Sequence, residues 1–481
     1  MSPKIYKGSL LGTALLLLLA VSQFQRQLNQ LRADPRLDLR RPASLGAAAP
    51  PMLEFTTVAL GGFRGLIANA LWIRASDLQL EGKYFEMVQL ADWITKLEPT
   101  FVQVWLHQAW NMTYNISVKF NDPGDRWRWV QKGIELLRDE GLRYNPREAL
   151  IYRELAWFFQ HKMGQSLDDA HMIYKDAWAR EMHALFGSGR PDYEELLNPK
   201  TDSAKHRVET LRTKYKMDPR IMKEVDDIYG PLEWRLPEAH AIYWATVGLK
   251  ECRKKDLITL RRVIYQSMHM VVLRGRLIAY STNSLPRFGP DLTKVERTSA
   301  AYERMIQDDH EMAHAIKSAY RIYLREIVYL LYTHHQVAEA QRWFKVVQEQ
   351  FPDAIPPNLT LPQYALQRLA GDVKELSHDR LKALMEGLFI QYFFNLALDE
   401  DDRAEGLEMM ARQLWDFTNG RIRDQNQRLS LVPYNEMKQA GLDRLLDPQG
   451  GLAPELIARL RNKLNLPVVA PPTPAPPGQK P

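Results

Sequence analysis

Several residue patterns that identify common activities are missing from this chain of 481 residues. Cys252 is the only cysteine, so neither an internal disulfide nor a cysteine pair for a metal site can form. No run of five or more basic residues occurs, and a net charge of +6 is small for this length, so nucleic-acid binding is not predicted. The remaining composition, 45% apolar and 25% charged residues, is that of an ordinary folded protein.

Motifs for phosphate binding and for serine nucleophiles are missing as well. Gly61, Gly62 and Gly65 lie close together, but the Lys-Ser/Thr pair of a phosphate-binding loop does not follow them, and no strand pattern precedes them. The sequence Gly-x-Ser-x-Gly of serine hydrolases does not occur. We therefore predict no cofactor and no activity of either class.

The N-terminus carries the pattern of an export signal. Lys4 and Lys7 precede the uncharged apolar run from Ser9 to Val21. A basic head followed by an apolar run directs export, and three further residues bring this run to the length of a marginal membrane span. We therefore predict a short basic N-tail over residues 1–8 and a transmembrane signal anchor over residues 9–24.

The same segment leaves a second outcome open. Ala20-Val21-Ser22 resembles a small-x-small cleavage site, and cleavage there would secrete the protein to the periplasm. With the anchor retained, we expect a single-pass protein of the bacterial inner membrane whose soluble body lies on the periplasmic side. Residues 25–54 mix Pro, Ala and charged residues without a period and are predicted to form a linker.

The stretch from Leu71 to Pro99 predicts a pair of helices. Gly82 separates them, because glycine adopts the positive φ values that end a helix, and Pro99 ends the second helix. Each helix has one apolar face at helical spacing, formed by Leu71, Ala75 and Leu78 in the first and by Tyr84, Met87, Ala91 and Ile94 in the second.

This stretch resembles a tetratricopeptide (TPR) repeat, a helix hairpin of about 34 residues. The positions of the family pattern are occupied by Leu71, Ala75, Leu78, Gly82, Tyr84, Ala91 and Pro99. Met87 stands where the family usually has Ala. The resemblance, which is to the exported TPR-like proteins of bacteria, implies an all-α fold built as an α-solenoid of antiparallel helix hairpins.

The same spacing recurs along the chain and sets the predicted domain boundaries. It is found at Trp105, Ala109 and Met112, at Tyr152, Ala156 and Phe159, and at Ala340, Phe344, Val347 and Pro352. We predict TPR-like repeats over 55–182, an irregular insertion over 183–236, further helical hairpins over 237–420 with a TPR-like unit at 321–352, capping helices over 421–465 and a disordered Pro-rich tail over 466–481.

Some finer boundaries are also predicted in the second half of the chain. Residues 256–280 read as one long helix that is followed by a loop over 281–291. A hairpin is expected over 379–419 with its turn at 399–402, and the region 351–362 is expected to be a Pro-rich turn. The capping helices are expected near 435–445 and 454–464.

In the TPR family, the first helix of each pair lines a concave surface that binds a protein or peptide partner. The resemblance implies such a groove here, lined by Asn69, Trp72, Ser76, Gln79, Gln103, Trp110, Thr113, Tyr114, Arg153, Trp157 and Gln160. Exposed Trp, Tyr and Arg side chains often anchor interfaces; the alternative is that the tryptophans pack between helices. Trp72 and Ser76 occupy two positions of the Lys/Asn set that holds a partner's C-terminal carboxylate in some TPR proteins, so that mode is not expected.

Residues 310–314 form the sequence HExxH. On one face of a helix, His310 and His314 could bind Zn²⁺ while Glu311 polarises a bound water, which is the chemistry of a zinc-dependent hydrolase. However, two aspartates precede the motif, which indicates that it opens a helix, and no third ligand follows at a familiar spacing. The predicted function is therefore a non-enzymatic scaffold for protein–protein interaction, with the zinc-dependent hydrolase as the alternative.

Overall fold

The computed structural model describes residues 63–467, apart from residue 188 and the segments 253–256, 282–283, 372–377, 425–431 and 448–451. It also describes short helical pieces between residues 12 and 31. Nine of the sixteen residues of the predicted anchor are described, whereas most of the predicted linker and the tail beyond residue 467 lie outside the described residues. Within the described part of the chain, no helix has the length and apolar character needed to cross a membrane.

The described residues are mostly helical, which confirms the all-α class. The helices run over Phe63–Leu80, Tyr84–Leu97, Val102–Trp110, Pro123–Glu135, Leu142–Tyr144, Ala149–Trp157, His171–Phe186, Tyr193–Leu197, Asp202–Thr213, Pro219–Tyr229, Pro237–Glu251, Ile258–Arg274, Val295–Asp308, Ala313–Tyr332, Val337–Gln350, Leu361–Ala370, His378–Ala397, Asp401–Asp424, Tyr434–Leu446 and Pro454–Lys463. Short 3₁₀ turns lie at Ser117–Lys119, Leu292–Lys294, His310–Met312 and Pro352–Ala354.

The chain divides into two compact units, one of residues 1–108 with 143–145 and the other of residues 109–142 with 146–481. The first unit contains the predicted helix pair, in which Phe63–Leu80 packs against Tyr84–Leu97. Gly82 adopts the expected positive φ of 72° in the turn between them. The predicted apolar faces form the core, since Ala75, Leu78, Met87, Ala91 and Ile94 are all buried.

In the second unit, the helix Ala149–Trp157 packs against the helix Pro237–Glu251, which also packs against Ile258–Arg274. Their approach is close at Gly248, where an added Cβ would lie 2.8 Å from Cβ of Tyr152. A glycine is therefore needed at this helix crossing, because any larger side chain would push the helices apart.

The C-terminal part of the second unit is built around a core of stacked tyrosines. The ring centroid of Tyr302 lies 5.2 Å from that of Tyr320 and 5.3 Å from that of Tyr323.

The helices His378–Ala397 and Asp401–Asp424 agree with the hairpin predicted over 379–419. The helices Tyr434–Leu446 and Pro454–Lys463 likewise agree with the two short helices predicted near the end of the chain.

The sequence predicts the segment 183–236 as an irregular insertion with one or two short helices near 206–217, and the structure has three helices there. It contains the helices Tyr193–Leu197, Asp202–Thr213 and Pro219–Tyr229. Asp226, in the third of these helices, connects the first helix to the following chain, because its carboxylate accepts hydrogen bonds from the Tyr193 hydroxyl at 2.6 Å and from the Trp234 indole at 3.0 Å. The polar segment is therefore mostly helical, and a buried carboxylate holds two of its helices together.

The prediction of one long helix over 256–280 and a loop over 281–291 is wrong. The helix Ile258–Arg274 ends at Gly275, and strands Arg276–Ser281 and Ser284–Gly289 then pair antiparallel. Residues 276–280 (RLIAY) continue the apolar composition of the helix, but Gly275 allows the chain to leave the helix at that point. The region 351–362 was expected to be a Pro-rich turn, but the helix Leu361–Ala370 starts inside it. Thr360 is the N-cap of this helix, and Pro362 lies in its first turn.

Candidate binding surface

Three turns of π-helix occur within the described residues, at Asn111–Ile116, Leu136–Gly141 and Phe158–Met163. A π-turn has i→i+5 hydrogen bonds and shifts the side chains that follow it relative to a regular α-helix. The first turn packs closely against the helix Pro123–Glu135, where a Cβ added to Gly133 would lie 2.0 Å from Oγ1 of Thr113. These turns decide which of the predicted groove residues reach the surface.

Four aromatic rings form a continuous row in the second unit, which we call the aromatic row: Trp110, Tyr114, His161 and Trp157. Trp110 stacks on Tyr114 with ring centroids 5.2 Å apart, and Tyr114 lies 5.9 Å from His161. His161 stacks almost parallel on Trp157, at 4.4 Å and an interplanar angle of 14°. Trp110 is 40% exposed at one end of the row, so the rings form a surface feature and not a sealed core.

Hydrogen bonds fix the orientation of the inner rings. The Tyr114 hydroxyl lies 2.9 Å from Nδ1 of His161. Burial, followed by the charge of Lys162, lowers the pKa of His161, so its imidazole is neutral at pH 7 and Nδ1 can accept the tyrosine proton. Burial is the main cause that raises the pKa of Tyr114, while a hydrogen bond with Trp157 lowers it. These hydrogen bonds therefore fix the orientation of Tyr114, His161 and Trp157 relative to one another.

An ion pair flanks the row. Arg153 donates through Nη1 to Oε2 of Glu154 at 2.8 Å, and the arginine side chain is 36% exposed while the glutamate is 10% exposed. Both charges act on the Tyr114 hydroxyl, since Glu154 raises its pKa and Arg153 lowers it. The edge of the row thus presents a cation that is already paired with a carboxylate.

A buried charge cluster lies directly behind the row. Asp168 accepts hydrogen bonds at 2.6 Å from Nη2 of Arg126, at 2.6 Å from Nζ of Lys162 and at 3.0 Å from the Tyr174 hydroxyl. Burial alone would raise the pKa of Asp168, but the hydrogen bonds from Lys162 and from the Ala170 amide lower it to about 2. The carboxylate is therefore ionised and holds both cations in place.

The first unit contains a smaller aromatic group around Trp72. Its ring lies 5.8 Å from Phe101 and 5.2 Å, edge-on, from His107. Nε2 of His107 is 2.8 Å from the side-chain oxygen of Gln79, and the Ser76 hydroxyl bonds to the carbonyl of Trp72. Trp72 is thus half-buried between helices.

Of the other predicted groove residues, Asn69 and Gln103 are exposed, but Thr113 and Gln160 do not line a surface. Thr113 is fully buried against Gly133. Gln160 is 3% exposed and donates hydrogen bonds to the carbonyl of Val263 and to the hydroxyl of Ser267. Both residues lie in π-turns, whose wider winding turns them inward. The prediction for these two positions is wrong.

His161 and Lys162 were not predicted from the sequence, although both contact the predicted Tyr114. His161 follows Trp157 by four residues, which would have placed it on the same face of a regular helix. The spacing was therefore a signal that could have identified His161. Nothing in the sequence indicates that Lys162 pairs with Asp168 across the Gly164 turn.

The HExxH residues do not occupy one face of an α-helix. His310 lies in the 3₁₀ turn His310–Met312, and His314 lies in the first turn of the helix Ala313–Tyr332. His310, Glu311 and His314 are all exposed. Within the described residues, no group of three or more His, Cys, Asp or Glu side chains is arranged to hold a metal ion.

Comparisons of the chain with protein-family models, with curated proteins and with solved structures each find no match. Only the geometry of the site therefore bears on the function. Its central feature is the row of Trp110, Tyr114, His161 and Trp157, preformed at the surface and supported from behind by Lys162.

Proposed function

We propose that this chain is a non-enzymatic binding protein whose aromatic row docks a protein or peptide partner. The observation that carries the proposal is the stacking of Trp110 on Tyr114 at 5.2 Å with Trp110 still 40% exposed. Large aromatic side chains that are held rigid and partly exposed lose little conformational entropy on binding, which makes them effective anchors of interfaces.

The hydrogen bonds within the row support a binding role. Tyr114 and His161 are locked to each other, so a partner would meet a surface that is already in its bound arrangement. Preorganisation of this kind lowers the entropic cost of association. The π-turns Asn111–Ile116 and Phe158–Met163, which carry these two residues, are of a type frequently found at functional sites.

The charges at the row favour a protein or peptide over a nucleic acid. Arg153 is paired with Glu154, Lys162 is paired with Asp168, and Arg126 is paired with both Asp168 and Asp169. A surface that binds the phosphate backbone needs unpaired Lys and Arg side chains. The aromatic row offers apolar area and hydrogen-bond donors instead, which suit a polypeptide.

The architecture that we propose around the row is an α-solenoid of TPR-like hairpins. The supporting features are the Gly82 turn and the buried faces at the TPR positions of several hairpins, including Ala109, Ala156 and Ala340. Such folds bind partners through the first helix of each pair. We further propose that residues 9–24 tether the protein to the bacterial inner membrane, on the basis of the apolar run that follows Lys4 and Lys7.

Affinity capture from detergent-solubilised membranes of the source cells tests the proposed function. The bait is the full chain, compared with a Trp110→Ala/Arg153→Ala variant and with a Trp93→Ala control that removes another exposed tryptophan, which is 54% exposed. We expect the double variant to lose at least tenfold of a captured protein that wild type and control both retain. Equal capture by all three folded baits would contradict a role of the aromatic row in partner binding.

A further inference from the structure

We propose that a cavity in the C-terminal part of the second unit binds a free α-amino acid with an apolar side chain. The cavity has a volume of about 400 Å³ and is lined by residues of three helices, Val295–Asp308, Ala313–Tyr332 and Val337–Gln350. It shares no residue with the aromatic row, so the inference does not rest on the proposed function. It gives the chain a second site, for a small molecule.

The buried part of the cavity lining is apolar. Tyr320 is 2% exposed and packs edge-on against Phe351, with ring centroids 6.1 Å apart and an interplanar angle of 81°. The half-buried side chains of Ile306 and Phe351 also line the cavity and pack against the core of this part of the unit. This apolar floor suits an aliphatic or aromatic side chain, because removing its apolar area from water favours binding.

Two exposed side chains of opposite charge stand around this floor. Lys317 lines the cavity, and within the described residues its ammonium makes no ion pair and no hydrogen bond. The carboxylate of Glu303 is held in one orientation, because its Oε1 accepts a hydrogen bond from the Tyr320 hydroxyl at 3.0 Å. The described part of the chain places no cation in an ion pair with this carboxylate. Both charges are therefore available to a ligand.

The pair of opposite charges favours a zwitterion. A ligand that carries only a carboxylate would be attracted by Lys317 and repelled by Glu303, and a ligand that carries only an ammonium would meet the reverse. An α-amino acid has both groups on one carbon, so its carboxylate can pair with Lys317 while its ammonium pairs with Glu303. The side-chain amides of Gln307 and Gln350, which also line the cavity, supply further donors and acceptors.

The size of the cavity agrees with this class of ligand. A volume of about 400 Å³ is near the lower end of the range of roughly 300–1,000 Å³ for small-molecule sites. An internal peptide segment has an uncharged backbone, and a peptide end carries only one of the two charges. A free amino acid therefore uses both Lys317 and Glu303, whereas a peptide leaves at least one of them unpaired.

Isothermal titration calorimetry of the detergent-solubilised full chain with L-phenylalanine tests the proposal. Two analogues keep the side chain and remove one charge each: L-phenylalanine amide lacks the carboxylate, and N-acetyl-L-phenylalanine lacks the ammonium. They also represent the N-terminal and C-terminal ends of a peptide. We expect each analogue to bind at least tenfold more weakly than free phenylalanine. Glycine, which lacks an apolar side chain, should also bind at least tenfold more weakly.

Substitutions in the protein separate the two charges. Lys317→Met should weaken binding of phenylalanine at least tenfold without weakening binding of the amide. Glu303→Gln keeps an acceptor for the Tyr320 hydroxyl, and it should weaken binding of phenylalanine equally without weakening binding of the N-acetyl analogue. Lys345→Met is the matched control, since Lys345 is also exposed but does not line this cavity. Circular dichroism checks that each variant keeps the helical fold.

The proposal is overturned if L-phenylalanine does not bind at millimolar concentrations, or if an analogue or glycine binds as well as phenylalanine. Binding of N-acetyl-L-phenylalanine equal to that of phenylalanine would identify a peptide C-terminus as the ligand instead. Unchanged binding in folded Lys317→Met or Glu303→Gln, or a loss that Lys345→Met shares, would also overturn the assignment to this cavity. Membrane capture through Trp110 is a separate measurement, so the proposed function can fail or hold independently of these results.

Discussion

Nζ of Lys162 lies 5.2 Å from the ring centroid of Tyr114, below the surface that this ring helps to form. The same ammonium donates to Asp168 at 2.6 Å and to the Ser117 hydroxyl at 3.1 Å. A cation held at this distance from an aromatic ring attracts its π-system. The buried charge cluster therefore supports the aromatic row directly, and a change in the cluster should affect both stability and binding.

Replacing Asp168 by Asn should destabilise the fold strongly. The variant leaves Lys162 and Arg126 buried without their shared counter-ion, which costs about 3 kcal/mol or more in comparable buried pairs. Chemical denaturation measures the free energy of unfolding. Asp227→Asn is the matched control, since Asp227 pairs with Lys223 at the exposed surface and should have little effect. Equal stability of the two variants would show that the buried charge cluster contributes little to the free energy of unfolding.

Acidification should weaken the fold through His240. Burial lowers the pKa of this fully buried histidine to about 4, only partly offset by its hydrogen bond to the Trp234 carbonyl. The unfolded side chain titrates near pH 6.5, so the folded state keeps its full stability above that pH. Between pH 6.5 and about 4 the unfolded state binds the proton more readily, and the free energy of unfolding falls by up to about 3 kcal/mol. His240→Phe should flatten the pH dependence of the unfolding free energy in this window. An unchanged slope would contradict this assignment.

Substitution of two glycines should have opposite effects. Gly133→Ala would place Cβ 2.0 Å from Oγ1 of Thr113 and 3.0 Å from the Ala109 carbonyl, so overpacking should cost about 1–3 kcal/mol. Gly387 lies in the helix His378–Ala397 with no atom within 4 Å of an added Cβ, so Gly387→Ala should stabilise by about 0.5–1 kcal/mol. Thermal unfolding compares the two. If Gly133→Ala is as stable as wild type, the π-turn Asn111–Ile116 can move away from the added Cβ, and the predicted overpacking is wrong.

The predicted anchor has a direct biochemical test. If residues 9–24 are retained, salt and carbonate washes should leave the protein in the membrane fraction and detergent should release it. The linker that follows would then let the folded part reach about 30 Å from its anchor. A mature chain that begins at Gln23 would instead show cleavage after Ala20-Val21-Ser22 and a protein free in the periplasm.

Helix positions were predictable wherever an apolar period of 3.6 continued without interruption. Ala75, Leu78 and Met87 are buried as their spacing predicts, and Gly82 adopts a positive φ because no other residue does so at low cost. A local pattern was sufficient for these features. Trp110, Tyr114 and Trp157 were predicted only as residues of a groove, and the structure brings the three into one row with His161.

Features that depend on the winding of the chain or on distant partners were not predictable. Thr113 and Gln160 lie in π-turns, which no simple sequence period reveals, so both point into the core where the groove was expected. The contact between Lys162 and Asp168 joins residues on either side of a turn at Gly164, and Arg126 reaches them from another helix. A charged residue in the sequence does not show which counter-ion it will meet.

Photocrosslinking at the aromatic row tests the central claim most directly. A photoreactive phenylalanine derivative is placed at position 110 of the full chain in living cells, and at position 93 as an exposed control. We predict that light produces a discrete crosslinked species at position 110 that is absent at position 93. The species should contain a separate protein. A crosslink pattern that is the same at both positions, or no crosslink at 110 in the folded protein, would contradict the account.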